Sequence, residues 1–324
     1  MQIADIPSDV QKEFFDSEIK SVSVLSGGLL NKSYSVSLTD GEKFVLQKIK
    51  PLIESDLYSN YHAVSSHLKN LDWLTPVMLT PTHPTDKVLF TDGDGNRWCS
   101  FTQLENSTWD GDPAPIGDLL GKLHKDLKQL DYTPKGAALI TDSQTRLEQL
   151  QKAVDHLPTQ EAKELADKLL SIFDPNGLPT APEQLIHADG KIDNMLFKDG
   201  KPYTFIGWKT LKLGNLWFDI GDMMRSIAKT LYIQNGRIDP EDIDKFVHSY
   251  HTVNDLGMDY AEFKSKALSA GLHITLELAI RYLADYKDGD DGYFGWDEGN
   301  YASRFDSNYA KALQLKRIYN EMKQ

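Results

Sequence analysis

The stretch "LIHADGKIDNMLFKDG", residues 185–200, and its continuation "KPYTFIGWKTLKLGNLWFDIGD", residues 201–222, decide how this chain is read. Asp189 and Asn194 stand in a D-x-x-x-x-N pattern. That separation suits phosphoryl transfer, where a carboxylate faces the attacking hydroxyl and an amide oxygen holds a metal ion. Alone, the pattern is common. Here it lies behind "IHA", runs into the strand-like "NMLF" and is followed by a hairpin across Asp199-Gly200. His187, two residues before the aspartate, is placed to brace the loop by packing or hydrogen bonding. Asp189 and His187 are therefore the candidate catalytic residues and Asn194 the candidate metal ligand, with a plain structural turn as the alternative.

Upstream, "SVSVLSGGLLNKSYSVSLTDGEKFVLQKI" alternates apolar and polar residues around Gly27-Gly28 and Asp40-Gly41, which predicts three antiparallel strands. Leu57, Tyr61, Val64 and Leu68 then recur at helical spacing, and "KVLFTDGDGNRWCSFTQL" predicts a second hairpin across Asp94-Gly95. Beyond Asn106 the patterns become long and helical, as in "IGDLLGKLHKDLKQL" and "SQTRLEQLQKAVDHL". The expected fold is α+β and two-lobed. A small antiparallel-sheet lobe spans residues 1–104, and a larger, mainly helical lobe spans 105–324. The crossover at Gln103-Leu104-Glu105-Asn106 is expected to offer Gln103, Leu104 and Glu105 to a nucleotide base.

Composition narrows the function classes. With 324 residues, 40% of them hydrophobic and 26% charged, the chain has an ordinary globular balance suited to two packed lobes. A net charge of −13 leaves no cationic excess for a nucleic-acid backbone, so no nucleic-acid partner is expected. No apolar run is long enough to span a membrane, and the first residues lack the pattern of a secretory signal. A cytoplasmic protein acting on a small molecule is the expectation; the sequence does not give its oligomeric state. The single cysteine, Cys99, reads as a buried strand thiol.

"LIHADGKIDNMLF", followed by "FIGWKTLKLGNLWFDIGDMMRS", resembles the core of the aminoglycoside phosphotransferase and choline kinase superfamily. Within it, the chain is most similar to bacterial N-acetylhexosamine kinase-like proteins. "GGLLNKSYSVSLTDGEKFVLQKIKP" resembles the nucleotide-covering loop and first strands of that subgroup, and "IRYLADYKDGDDGYFG" its last helices. The resemblance covers almost the whole chain, though only the catalytic stretch is a strong motif. It implies a protein-kinase-like fold, ATP with Mg²⁺, and phosphorylation of a small-molecule hydroxyl. Asp189 is then the base and Asn194 a metal ligand.

The departures are specific. Gly207 stands where the family has the metal-binding Asp, and Lys209 where a further acid often follows. Ala188 replaces the glycine of an H-G-D triplet, a mild change in size. The phase of "FVLQKI" turns Gln47, with Val45, toward the pocket, so Lys48 is not the usual phosphate-pairing lysine. His62 falls near the place of its glutamate partner. Nucleotide binding with reduced dependence on Mg²⁺ is expected, and an aspartate returned to position 207 is expected to restore a ligand. Asp219 and Asp222 stand open as loop braces or as substitute metal ligands, while Asp193 is expected to point away along the loop. Gly27 and Gly28 read as a phosphate-covering loop or a simple turn. The aromatic run Tyr286, Tyr293, Phe294, Trp296, Tyr301 and Phe305 reads as packing or as a stacking surface. Two functions remain in play: a kinase for a sugar or amino sugar, and a catalytically impaired kinase fold that binds nucleotide or metabolite.

Overall fold

The computed structural model describes residues 6–25, 31–51, 53–84, 88–135, 142–285 and 301–323. The chain opens with a short helix, α1 (Ser8–Phe14), followed by the meander β1 (Ile19–Leu25), β2 (Lys32–Leu38) and β3 (Lys43–Ile49). The β2–β3 turn is fixed by Gly41, whose φ of +97° favours glycine, and by the Asp40 carboxylate, which accepts the Glu42 amide at 2.9 Å. Helix α2 (Asp56–Asn70) follows, then β4 (Met78–Leu79), β5 (Phe90–Thr91) and β6 (Arg97–Thr102). These strands form a six-stranded antiparallel sheet in the order β1-β2-β3-β6-β4, with β5 also on β6.

The two faces of this sheet are unlike. Phe44, Leu46 and Trp98 pack with Val10 and Phe14 of α1. On the other face Val45, Ile49, Cys99 and Phe101 pack with Leu57, Tyr58 and Tyr61 of α2. Period-two alternation along β3 therefore places Gln47 on the α2 side and sends Lys48 to the opposite face, where its ammonium sits 5.6 Å from the Trp98 ring.

The chain then turns helical: α3 (Ala114–Leu127), α4 (Ser143–Ala153) and α5 (Gln160–Ile172). Four short strands follow: β7 (Glu183–Ile186), β8 (Met195–Lys198), β9 (Lys201–Phe205) and β10 (Lys212–Asn215). They make two separate antiparallel pairs, β8–β9 and β7–β10. The β8–β9 turn places Asp199 at φ +49° and Gly200 at φ +80°, the doubly left-handed geometry that an Asp-Gly hairpin uses. Helices α6 (Leu216–Asn235), α7 (Pro240–Val253), α8 (Tyr260–Ala284) and α9 (Tyr301–Met322) complete the chain. The largest core joins α3, α6, α7 and α8 beneath the β8–β9 hairpin, and a second joins α4, α5, α8 and α9. Among the described residues no helix is long and apolar enough to cross a membrane.

The expected small antiparallel sheet and larger helical part are both present. Short α1 and the β7–β10 pair were not foreseen. Phe305 lies in packing, stacked on Tyr309 with centroids 5.6 Å apart. Tyr286, Tyr293, Phe294 and Trp296 lie outside the described residues, as do Gly27 and Gly28.

Candidate active site

The loop between β7 and β8 carries Asp189 and Asn194, and hydrogen bonds from several elements hold it. Asn215 caps α6 by accepting the Trp217 amide at 3.0 Å, which places Asp219 in the first turn of that helix. Asp219 is fully buried and accepts three hydrogen bonds: the amides of His187 and Ala188, both at 2.7 Å, and His124 Nε2 at 3.1 Å. Burial opposes its ionisation, but His124 and the loop amides outweigh that and hold its carboxyl below the ordinary range. His124 is oriented in turn by the Tyr250 hydroxyl on its Nδ1, at 2.7 Å. With its oxygens so engaged, Asp219 is a loop brace and not a metal ligand.

His187 is also fully buried. Its Nε2 donates to the Ile206 carbonyl at 2.8 Å and its ring packs on Trp208 at 4.6 Å, while Thr210 Oγ1 donates to the His187 carbonyl at 2.8 Å. It positions the loop against the chain that leaves β9. Ala188 stands at φ +60°, in the left-handed region that favours glycine. Its size is harmless, but its Cβ costs conformational energy, so the change from glycine is less mild than size suggests.

Asp189 is about one-third exposed and faces the cleft. Asn194 Nδ2 donates to its Oδ2 at 2.7 Å and to its main-chain carbonyl at 2.8 Å. Lys191 Nζ meets both carboxylate oxygens at 2.8 Å. Burial works against the Lys191 charge, yet Asp189 more than compensates and holds the ammonium above its ordinary pKa. Sequence reasoning missed Lys191, although its place two residues after Asp189 was visible. Asp222 is buried beneath this group and accepts from Arg225 Nε at 2.7 Å. Burial pushes its carboxyl up, Arg225 pulls it back, and the nearby Asp189 pushes it up again. Asp193 is exposed, away from the cluster.

Gly207 follows β9 with φ +95° and ψ 27°, and its amide donates to Tyr61 Oη at 2.6 Å. A carbon added there would stand 3.1 Å from both Cγ and Oδ1 of Asn194. Position 207 thus adjoins the Asn194 amide directly, and glycine supplies no oxygen there. Among the described residues no group of three or more His, Cys, Asp or Glu is placed to hold a metal ion. With Asp219 and Asp222 both committed, the residues present do not fit the paired-ligand Mg²⁺ site that the family resemblance implies.

Lys209 lies two residues on, in a single helical turn over Trp208–Thr210. It is half-buried, with Nζ 5.4 Å from the Tyr58 ring centroid. Burial lowers its pKa, while the Asp189 charge acts to raise it. Burial likewise pushes the Cys99 thiol well up, as suits an inert strand cysteine. Above, Gln47 Nε2 donates to Ser33 Oγ at 3.0 Å, and Asn31 Nδ2 reaches both Tyr58 Oη at 2.5 Å and Gln47 Oε1 at 3.4 Å. His62 is exposed; Tyr58 and Tyr61 are the α2 side chains on the cleft side, which corrects its expected role.

At the crossover, the Gln103 amide donates to the Lys43 carbonyl at 2.9 Å and its side chain accepts from Ser35 Oγ at 2.6 Å. The Glu105 carbonyl accepts from Tyr203 Oη at 2.5 Å, and its side chain is exposed near Lys198. Those groups are engaged within the protein rather than held toward a base.

Solved structures share this architecture. Amicoumacin kinase hAmiN, in complex with AMP-PNP, Ca²⁺ and Ami, is 16% identical with a TM-score of 0.61, covering 98% of this chain and 94% of that one. A thermostable mutant of aminoglycoside phosphotransferase APH(4)-Ia, in a ternary complex with ADP and hygromycin B, is 12% identical with a TM-score of 0.58, covering 94% and 95%. A choline/ethanolamine kinase family protein from Mesorhizobium loti is 12% identical with a TM-score of 0.56, covering 93% and 92%. At such identities the likeness establishes the kinase-like fold. The sequence match to the phosphotransferase enzyme family runs over residues 21–256, across both the sheet and the Asp189 loop, and on that match the chain belongs to this family.

Proposed function

We propose that the protein transfers the γ-phosphoryl group of ATP to a hydroxyl of a small metabolite, a sugar or amino sugar. The supporting observation is the Asp189 cluster: a carboxylate about one-third exposed, oriented by Asn194 and Lys191 on a loop that Asp219 holds. Asp189 accepts the proton of the acceptor hydroxyl. The hydroxyl oxygen forms the new bond to phosphorus as the bond to the bridging oxygen breaks, and ADP leaves. The Lys191 ammonium offsets charge next to the attacking oxygen, and the rigid loop supplies orientation.

In this reading residues 1–104 form the nucleotide lobe and 105–324 the catalytic and acceptor lobe. The adenine edge meets the crossover at Leu104, since the Gln103 amide and the Glu105 carbonyl are otherwise engaged. The protein acts in the cytoplasm.

Gly207 and Lys209 favour a second reading, a kinase fold that binds nucleotide or metabolite without turnover. Coupled ADP release against a panel of sugars, amino sugars, choline and homoserine separates the two. Acceptor-dependent ADP release supports the kinase; ATP binding with no release for any acceptor supports the binder.

A further inference from the structure

Helix α6 runs along the catalytic loop and holds it at two places. Asp219 accepts the His187 and Ala188 amides, both at 2.7 Å, and Ser226 Oγ accepts the Ile192 amide at 3.1 Å. Positions 219, 222 and 226 fall on one face of a helix. Asp222 therefore stands between the two anchors, beside the part of the loop that carries Asp189 and Lys191. Arg225 joins it through a hydrogen bond from Nε to Asp222 Oδ1 at 2.7 Å.

This buried pair uses only part of its hydrogen-bonding capacity. Among the described residues, Asp222 Oδ2 accepts no hydrogen bond and the two Nη groups of Arg225 donate none. The Arg225 and Asp222 side chains are 6% and 11% exposed, against 28% and 34% for Lys191 and Asp189. Exposure thus rises from the helix toward the catalytic carboxylate, which makes the pair the floor of the opening at Asp189. A charge pair removed from water is costly unless its remaining donors and acceptors find partners.

Charge and geometry select the partner. The pairs Asp222–Arg225 and Asp189–Lys191 are each neutral overall, so neither an anion nor a cation gains a net attraction from them. Arg225 also cancels the charge with which Asp222 would draw a divalent ion. A neutral hydroxyl both donates and accepts. Two hydroxyls on neighbouring carbons are close enough to meet both members of a pair in contact at 2.7 Å, one donating to Asp222 Oδ2 and the other accepting from an Arg225 Nη.

We propose that Asp222 and Arg225 form the acceptor subsite and recognise neighbouring hydroxyls of a neutral polyol, beyond the hydroxyl whose proton Asp189 accepts. The inference rests on the kinase reading above and narrows its acceptor to an uncharged sugar, as opposed to a lone alcohol that carries a charged group.

Calorimetric titration with AMP-PNP present, together with coupled ADP release, tests it on glucose, galactose, N-acetylglucosamine, glucosamine, choline and homoserine. At least one of the three uncharged sugars is expected to bind and the charged alcohols are not. In the single-deoxy series of a bound sugar, loss of either of two neighbouring hydroxyls is expected to weaken binding by about 10- to 100-fold, because the protein group is left buried and unpaired. Arg225→Lys keeps the charge beside Asp222 but loses the planar fork. It is expected to raise the acceptor KM by about 10-fold or more, with the KM for ATP unchanged. The deoxy series on wild-type protein stands whether or not that variant folds. Phosphorylation of choline or homoserine without binding of any uncharged sugar overturns the inference and leaves the kinase reading standing. So does a deoxy series without a sensitive pair, or an unchanged acceptor KM in Arg225→Lys. Sugar binding with the expected deoxy pattern but no ADP release supports the subsite and overturns the kinase reading. Absence of both binding and ADP release for every compound overturns the two together.

Discussion

Asn194 packs closely over Gly207: a β-carbon at 207 would lie 3.1 Å from Asn194 Oδ1, so the asparagine side chain must shift by a few tenths of an ångström to admit one. The left-handed backbone at 207, φ +95°, strains most residues, but aspartate and asparagine tolerate it best after glycine. Gly207→Asp alone is expected to pair with Lys209. The double change with Lys209→Asp removes that competitor and rebuilds a metal site. It should make ADP release strictly dependent on Mg²⁺, by about 10²- to 10³-fold if the geometry is retained. Steady-state ADP release over a Mg²⁺ series reads this out, and a double variant indifferent to Mg²⁺ contradicts it.

Asp189→Asn removes the proton acceptor while keeping shape and most hydrogen-bonding capacity. Turnover should fall by about 10²- to 10⁴-fold, with ATP affinity and thermal stability close to wild type because the side chain is partly exposed. An unchanged rate in the coupled assay would remove Asp189 as the base.

Asp219 acts through the fold. Its carboxylate accepts two loop amides and His124 inside the core, so Asp219→Asn puts an amide hydrogen against one of those donors. A loss of about 3 kcal/mol in urea unfolding is expected. Its folded pKa lies below the ordinary value of 3.8. The stabilisation is therefore present above that value and disappears as pH falls through the folded pKa. Acid unfolding of the wild type should show this contribution and that of the variant should lack it; identical profiles count against the brace.

Ala188 holds φ +60° with a Cβ that region disfavours. Ala188→Gly relieves that strain, about 1–2 kcal/mol, against a smaller entropic cost of glycine in the unfolded chain. A net gain of about 0.5–1 kcal/mol in urea midpoint measurements is expected. A destabilised variant would show that the backbone there relaxes without penalty.

Alternation and turn chemistry made the β1–β3 meander, the β5–β6 hairpin and the β8–β9 hairpin legible, because each signal is local: period two, then Asp-Gly. Helix α1 was hidden because its seven residues have no side-chain cap, and it exists through Val10 and Phe14 packing on the sheet. The Asp189–Asn194 spacing could be read, and so could the missing carboxylate at 207. What spacing did not show was competition among side chains. Asp219 was open between brace and metal ligand until the amides that point at it were in view. His62 and Tyr61 are adjacent on α2, and only the helix rotation set by Val64 and Leu68 decides which faces the cleft. Lys191 escaped notice because attention to D-x-x-x-x-N treats the intervening residues as spacers.

Phosphorus NMR of the protein with ATP and a mixed pool of sugars and amino sugars is the most direct test of phosphoryl transfer in this cleft. The account predicts a new phosphomonoester resonance that grows in step with ADP and is absent with Asp189→Asn. ATP that binds but persists unchanged with every acceptor, or a phosphomonoester that forms equally well with Asp189→Asn, would contradict it.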